Sequence, residues 1–220
     1  MSCLLACRKI CLAIKILSMK RPLMDLYCGA RASIWVLALL PAGVLAWRAA
    51  TGGLGANPIE EITHQTGWWA LFLLFASLTV TPIRRLTGWH RVIRFRRLIG
   101  LFAFFYATLH FLTYLILDQF FAFGYILEDI AERPFITVGF AAWLILIVLA
   151  VTSTTGWIRR LGKKWTRLHQ MVYLAATFGG IHFFWKVKAD TREPLIFLAV
   201  LAVLMAFWVP GLIPTRRPKR

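Results

Sequence analysis

Six apolar runs, each close to the length of a bilayer-crossing helix, dominate this 220-residue chain. A hydrocarbon core needs about 20 helical residues. Runs of that kind lie at roughly Ala32–Ala50, Gly67–Ile83, Leu98–Leu117, Phe135–Thr152, Leu168–Trp185 and Leu195–Ile213. None alternates polar and apolar residues as the strands of a membrane barrel do, and no short repeat of the solenoid kind is visible. With 60% of its residues apolar and a mean hydropathy of +0.69, the chain has too little polar surface for a water-soluble globule. The pattern predicts an all-α integral membrane protein, a six-transmembrane-helix bundle. Residues 1–31 form an N-terminal extension, 32–213 the membrane domain and 214–220 a basic tail.

The net charge is +17. A basic surface of that size would fit nucleic acid if the charges shared one face of a soluble domain. Sorted by span, they do something else. The segments before span 1, between spans 2 and 3, between spans 4 and 5, and after span 6 hold 21 of the 26 basic residues and one acid, Asp25. The opposite side holds Glu60, Glu61, Asp118, Glu128, Asp129, Glu132, Asp190 and Glu193 against Arg48, Arg133, Lys186, Lys188 and Arg192. One side therefore carries +20 and the other −3. By the positive-inside rule both termini are cytoplasmic, and the basic residues serve topology and contact with anionic membrane lipid rather than nucleic acid. Trp68, Trp69, Trp89, Trp157, Trp165, Trp185 and Trp208 lie near span ends, as an interfacial belt would.

In the first 25 residues Arg8, Lys9, Lys15, Lys20 and Arg21 interrupt the apolar stretches, so no clean signal-peptide core forms. Leu4-Leu5-Ala6-Cys7 lacks the preceding hydrophobic stretch of a lipoprotein signal, and Met19 and Met24 are alternative starts. Cys3, Cys7, Cys11 and Cys28 all fall on the cytoplasmic side, where thiols stay reduced, and no CxxC pair occurs.

Ionisable groups inside a span are costly and point to function. The candidates are His110 in span 3, and His169 and His182 in span 5. Both spans start on the cytoplasmic side, so depths compare directly. His110 lies roughly 18 Å from Leu98, and His182 roughly 21 Å from Leu168, at the helical rise. Two level imidazoles on separate helices suit the two axial positions of a haem iron. For one membrane histidine an interhelical hydrogen bond is the simpler account; a level pair favours haem. Gly179 and Gly180 would let a flat macrocycle approach the backbone.

His169 lies roughly 20 Å from His182 along the axis and roughly 140° around it on an ideal helix. Span 3 has Arg96 and Arg97 at that depth instead of a histidine. His169 is thus open to three readings: ligand of a less regular second haem, flavin or quinone contact, or interfacial hydrogen bond. Arg96 and Arg97 anchor the span as cytoplasmic cations. Alternatively, with His169, they form a basic pocket for haem propionates, a flavin phosphate or a quinone carbonyl. Arg167 belongs with them. His64 in the outer loop and His90 in a cytoplasmic loop read as solvated residues. No Walker loop, no dinucleotide fingerprint and no catalytic domain occurs. Together these residues point to a transmembrane electron carrier.

Certain stretches carry a family resemblance: Gly53-Leu54-Gly55-Ala56-Asn57-Pro58 with His64 and Gly67, then Arg96-Arg97-Leu98-Ile99-Gly100-Leu101 leading to Leu109-His110. Further on stand Arg133-Pro134-Phe135-Ile136-Thr137-Val138-Gly139, Thr152-Ser153, Leu161-Gly162-Lys163-Lys164-Trp165, Leu168-His169, Val172-Tyr173-Leu174, and Ile181-His182 with Trp185 and Lys188. From about Ala32 to the end of span 6 the chain resembles the MsrQ family, the haem-binding membrane subunit of a periplasmic methionine sulfoxide reductase system, within the ferric-reductase-like transmembrane group. The resemblance implies haem b (one, or two) on His110, His182 and conditionally His169, with FMN in the same subunit. It implies electrons drawn from the quinone pool and delivered to a periplasmic molybdopterin-containing catalytic subunit, as a heterodimer in the bacterial inner membrane. That partner would reduce methionine sulfoxide in oxidised proteins. Two other classes stay open: a stand-alone ferric-reductase-like or cytochrome b561-like reductase, and a non-redox scaffold or transporter.

Overall fold

The computed structural model describes residues 27–187 and 191–208, which are helical with no strand among them. Residues 1–26 of the expected extension, with Cys3, Cys7 and Cys11, lie outside the described residues. So do Lys188, Asp190, the sixth run beyond Trp208 and the tail 214–220. The chain divides into two units, Met1–Trp47 and Arg48–Arg220. The first consists, where described, of most of helix α1 (Tyr27–Ala50). Its Val36, Leu37, Leu40 and Val44 are exposed, a surface suited to hydrocarbon rather than water.

The second unit opens with α2 (Pro58–Thr87). The Asn57 side chain caps it by accepting the Glu60 N–H at 3.3 Å, and Pro58 takes the first position, where a missing N–H costs nothing. Glu60 and Glu61 sit at its start, Arg84 and Arg85 at its end, and Gly88 (φ 72°) turns the chain out of it. At 30 residues α2 is about 45 Å long, more than a hydrocarbon core, so both charged ends reach past it. A 3₁₀ turn at His90–Val92 leads into α3 (Ile93–Thr113), which a π-helical turn (Tyr114–Asp118) extends. After α4 (Phe123–Glu132) come α5 (Pro134–Val151), two short helices α6 (Thr155–Leu161) and α7 (Lys163–His169), then α8 (Met171–Lys186) and α9 (Arg192–Trp208).

Two antiparallel pairs organise this unit, α2 with α3 and α5 with α8, and α9 packs on α8. At the seams side chains are small or flat. Ala103 of α3 and Ala175 and Ala176 of α8 are fully buried, and Tyr106 and Leu78 nearly so. In lipid there is no hydrophobic drive between helices, so close approach over small residues takes its place. The outward positions are large and apolar: Leu101, Phe105, Leu112, Leu144, Val148, Leu174, Ile196 and Val203 are exposed.

Four helices are long and apolar enough to cross a membrane: Tyr27–Ala50, Pro58–Thr87, His90–Asp118 and Pro134–Val151. The fifth apolar run breaks at Gln170, between α7 and α8, which leaves α8 with 16 residues; α9 is described for 17. At 1.5 Å per residue these two are about 24–26 Å long, short of a 30 Å core. Trp68 stacks on Phe72 with ring centroids 5.1 Å apart, and Trp69 meets Phe72 edge-on at 5.5 Å. Trp89, Trp157 and Trp185 are exposed.

Candidate functional site

His110 lies near the C-terminal end of α3 and His182 near that of α8, and their ring centroids are 6.0 Å apart with planes at 77°. Neither ring is loose. Nδ1 of His110 is 2.9 Å from the Thr63 carbonyl oxygen at the start of α2, and Nδ1 of His182 is 2.7 Å from the Phe135 carbonyl oxygen at the start of α5. A carbonyl only accepts, so each Nδ1 carries the proton and each Nε2 keeps its lone pair. That is the tautomer a metal ligand needs, and a backbone-bonded Nδ1–H is the usual outer support of a ligating histidine.

The spacing also fits an iron between the rings. Two metal–nitrogen bonds of about 2 Å, with about 1 Å from each nitrogen to its ring centre, span about 6 Å. The surroundings are aromatic: Phe135 tilts over His182 at 6.2 Å, and Phe111 stacks on Trp143 at 4.1 Å, with Trp143 donating to the Thr108 hydroxyl at 3.3 Å. No group of three or more His, Cys, Asp or Glu side chains converges among the described residues. The donor set is therefore a two-imidazole set, suited to a cofactor that brings its own four equatorial nitrogens, as haem does. Gly179 and Gly180 do not provide the macrocycle's clearance. A side chain at Gly179 would meet Leu71 of α2, and one at Gly180 would meet Leu198 of α9, so this pair serves helix packing.

At the other end of the bundle His169 belongs to a separate cluster. Its Nε2 is 3.1 Å from the Thr152 hydroxyl, and its ring stacks on Trp165 with centroids 4.0 Å apart. Trp165 in turn donates to the Thr152 carbonyl at 3.0 Å. Arg96 donates to the Thr81 hydroxyl at 3.0 Å and Arg97 to the Ser153 carbonyl at 3.3 Å. Beside them lies an open cavity of about 360 Å³, lined by Arg97, Leu101, Ala150, Ser153, Thr154 and Thr155. Arg167 stands in the last turn of α7 among its basic residues. His64 sits in the second turn of α2 rather than in a loop, exposed, with its ring 6.3 Å from Phe183. His90 is exposed in the 3₁₀ turn, and Cys28 is a free, exposed thiol.

On the acidic side, the Gly53–Pro58 segment forms a clasp. Arg48 donates to the Gly53 carbonyl through Nε at 3.1 Å and Nη2 at 2.9 Å, and pairs with Glu61 at 2.6 Å. Glu61 accepts the Gly55 N–H at 2.8 Å. These residues shape the loop before α2.

Residues 66–180 match the family model described as "Ferric reductase like transmembrane component". Among similar proteins, the chain is 48% identical over 187 residues to the "Protein-methionine-sulfoxide reductase heme-binding subunit MsrQ" of Xanthomonas axonopodis pv. citri (strain 306), covering 82% of this chain and 86% of that one. It is 50% identical over 184 residues to the protein of that name from Herminiimonas arsenicoxydans, covering 81% and 84%. The Xanthomonas euvesicatoria pv. vesicatoria (strain 85-10) relative is 46% identical over 195 residues, covering 86% and 89%. No solved structure matches.

Proposed function

The chain belongs to the MsrQ family of haem-binding subunits and carries the ferric-reductase-like transmembrane component, and from that premise we propose that it is the membrane electron carrier of a protein-methionine-sulfoxide reductase system. Electrons from the quinone pool on the cytoplasmic side reach a periplasmic molybdopterin-containing catalytic subunit by way of haem b and FMN. The catalytic subunit, in a heterodimer with this chain, reduces methionine sulfoxide in oxidised proteins. The bound haem supplies one-electron chemistry that no side chain of this protein offers. His110 and His182 hold it through Nε2, with Thr63 and Phe135 orienting the rings. Arg97, which lines the open cavity, together with Arg96 and His169 forms the cytoplasmic end where a flavin phosphate, a quinone carbonyl or haem propionates would be received. A second haem held by His169 is the further possibility within this reading. The charge distribution supports six spans with both termini in the cytoplasm of a bacterial inner membrane.

One observation carries the reading: two membrane imidazoles 6.0 Å apart, each with Nδ1 bonded to a main-chain carbonyl. Absorption spectra of the purified protein, oxidised and dithionite-reduced, test it. A Soret band lost in both His110→Ala and His182→Ala is the expected result; no band, or a band unchanged in both variants, defeats it. The partner is tested by co-expression with a periplasmic molybdopterin reductase, after which the reduced chain should reoxidise on addition of a sulfoxide peptide. Because the matching family model is described as ferric-reductase-like, a stand-alone reductase is the second reading. It expects ferric reduction by this chain without any partner.

A further inference from the structure

The two histidines end two helix pairs built on the same spacing. His110 on α3 meets the Thr63 carbonyl of α2, and His182 on α8 meets the Phe135 carbonyl of α5, each across 47 residues. One helical turn after each carbonyl stands a glycine, Gly67 and Gly139. Two turns before each histidine stands a fully buried alanine, Ala103 and Ala175. Positions 63 and 135, 67 and 139, 103 and 175, and 110 and 182 are all 72 residues apart. The pairs are thus parallel repeats of the kind seen in membrane folds built by duplication, with few side chains in common.

The glycines share one physical role. A helical carbonyl already accepts the N–H of the residue one turn later, and only its second lone pair is open to an outside donor. The side chain of that later residue stands beside the lone pair, so a glycine there opens the path. A Cβ built on Gly139 would lie 2.6 Å from Nδ1 of His182, 2.9 Å from Cε1 and 3.0 Å from Cγ. One on Gly67 would lie 3.1 Å from both Nδ1 and Cε1 of His110. The first is far inside van der Waals contact, and the ring cannot retreat without giving up the Phe135 carbonyl.

We infer that Gly139 and Gly67 are positioning residues of the haem centre: by lacking a side chain they let the Phe135 and Thr63 carbonyls accept hydrogen bonds from Nδ1–H of His182 and His110, so that both rings present Nε2 to iron. The inference rests on the haem reading above. Outer partners of metal-bound histidines commonly change metal affinity by about 10–100-fold, and the closer clash makes the His182 half the more sensitive.

The test uses the full-length chain, purified in detergent, as wild type and as Gly139→Ala, Gly67→Ala, Gly179→Ala and Gly180→Ala. Haem per chain is measured by pyridine haemochrome, ligation by low-spin ferric electron paramagnetic resonance, and the midpoint potential by titration. Gly139→Ala is expected to weaken haem retention by about 10–100-fold, or to convert the remaining haem to a high-spin form. Gly67→Ala is expected to move the same readouts in the same direction, but less. Gly179→Ala and Gly180→Ala meet the ends of Leu71 and Leu198 side chains at 3.2 and 3.1 Å, which can give way, and should keep the wild-type spectrum and stoichiometry. Wild-type spectra and potentials in both Gly139→Ala and Gly67→Ala overturn the inference, as does equal haem loss in Gly179→Ala. If Gly139→Ala does not fold, Gly67→Ala decides alone. A wild-type chain without haem, or haem that survives both histidine-to-alanine variants, refutes the haem reading itself and the inference with it.

Discussion

The histidines at the two ends of the bundle are held in opposite ways. His110 and His182 are fastened by main-chain carbonyls through Nδ1, which leaves Nε2 available. His169 has Nε2 against a hydroxyl and its ring against an indole. A carbonyl at a fixed place in a helix cannot rotate away or change its role, so it sets one tautomer. The Thr152 hydroxyl donates its one proton to the Val148 carbonyl at 2.7 Å, so toward His169 it accepts, and Nε2 carries the proton. The difference is what the proposed haem site turns on: the first pair is fixed in the tautomer that iron ligation would need, whereas His169 is engaged through the nitrogen a ligand would use.

The largest expected effect comes from breaking the first arrangement. His182→Ala or His110→Ala should remove essentially all bound haem, read as the loss of the pyridine haemochrome signal per chain. His169→Ala separates the two ends. With one haem on the outer pair, stoichiometry should stay at the wild-type value while quinol-driven haem reduction slows by about tenfold, the scale of one lost hydrogen bond. Halved haem content in that variant would instead make His169 a ligand. Thr152→Val should leave haem content unchanged. It should also lower stability by about 1 kcal/mol, the net worth of one hydrogen bond, measurable as a lower Tm in detergent. The smallest effect belongs to the clasp before α2. Arg48→Ala removes a half-buried ion pair with Glu61 and the hydrogen bonds to the Gly53 carbonyl, together on the order of 1 kcal/mol or less, and should leave the spectrum unchanged and Tm close to wild type. A spectral change there would mean that the loop reaches the haem centre after all.

Much of this was legible in the order of residues. Hydropathy and helical period are local, so runs such as Phe135–Thr152 announce themselves, and α5 covers nearly the same residues. Depth along parallel helices is arithmetic in residue number, which brought His110 and His182 level before any fold was known. Boundaries were less legible. α2 begins at Pro58, well before Gly67, because its first turns are polar yet capped by Asn57 and Pro58. The fifth run looks continuous in hydropathy but breaks at Gln170, since apolarity does not report backbone hydrogen bonding. Gly179-Gly180 are conspicuous in the sequence as adjacent glycines beside a histidine. The glycines that touch the rings are Gly67 and Gly139, far from either histidine in sequence. Their signal was the common 72-residue offset, faint because so few other side chains repeat with it.

The sequence by itself determined that this is a helical membrane protein, how its charges divide between the ends of the apolar runs, and which three histidines lie in or at those runs. These follow from burial cost and helical rise, both counted along the chain. The tertiary structure decided which nitrogen each imidazole offers and which glycines make room for it. Those depend on a Thr63 carbonyl meeting a ring 47 residues later and a Phe135 carbonyl meeting another. A hydrogen bond between helices is set by how closely two backbones pack, and that distance is written in no single stretch of residues.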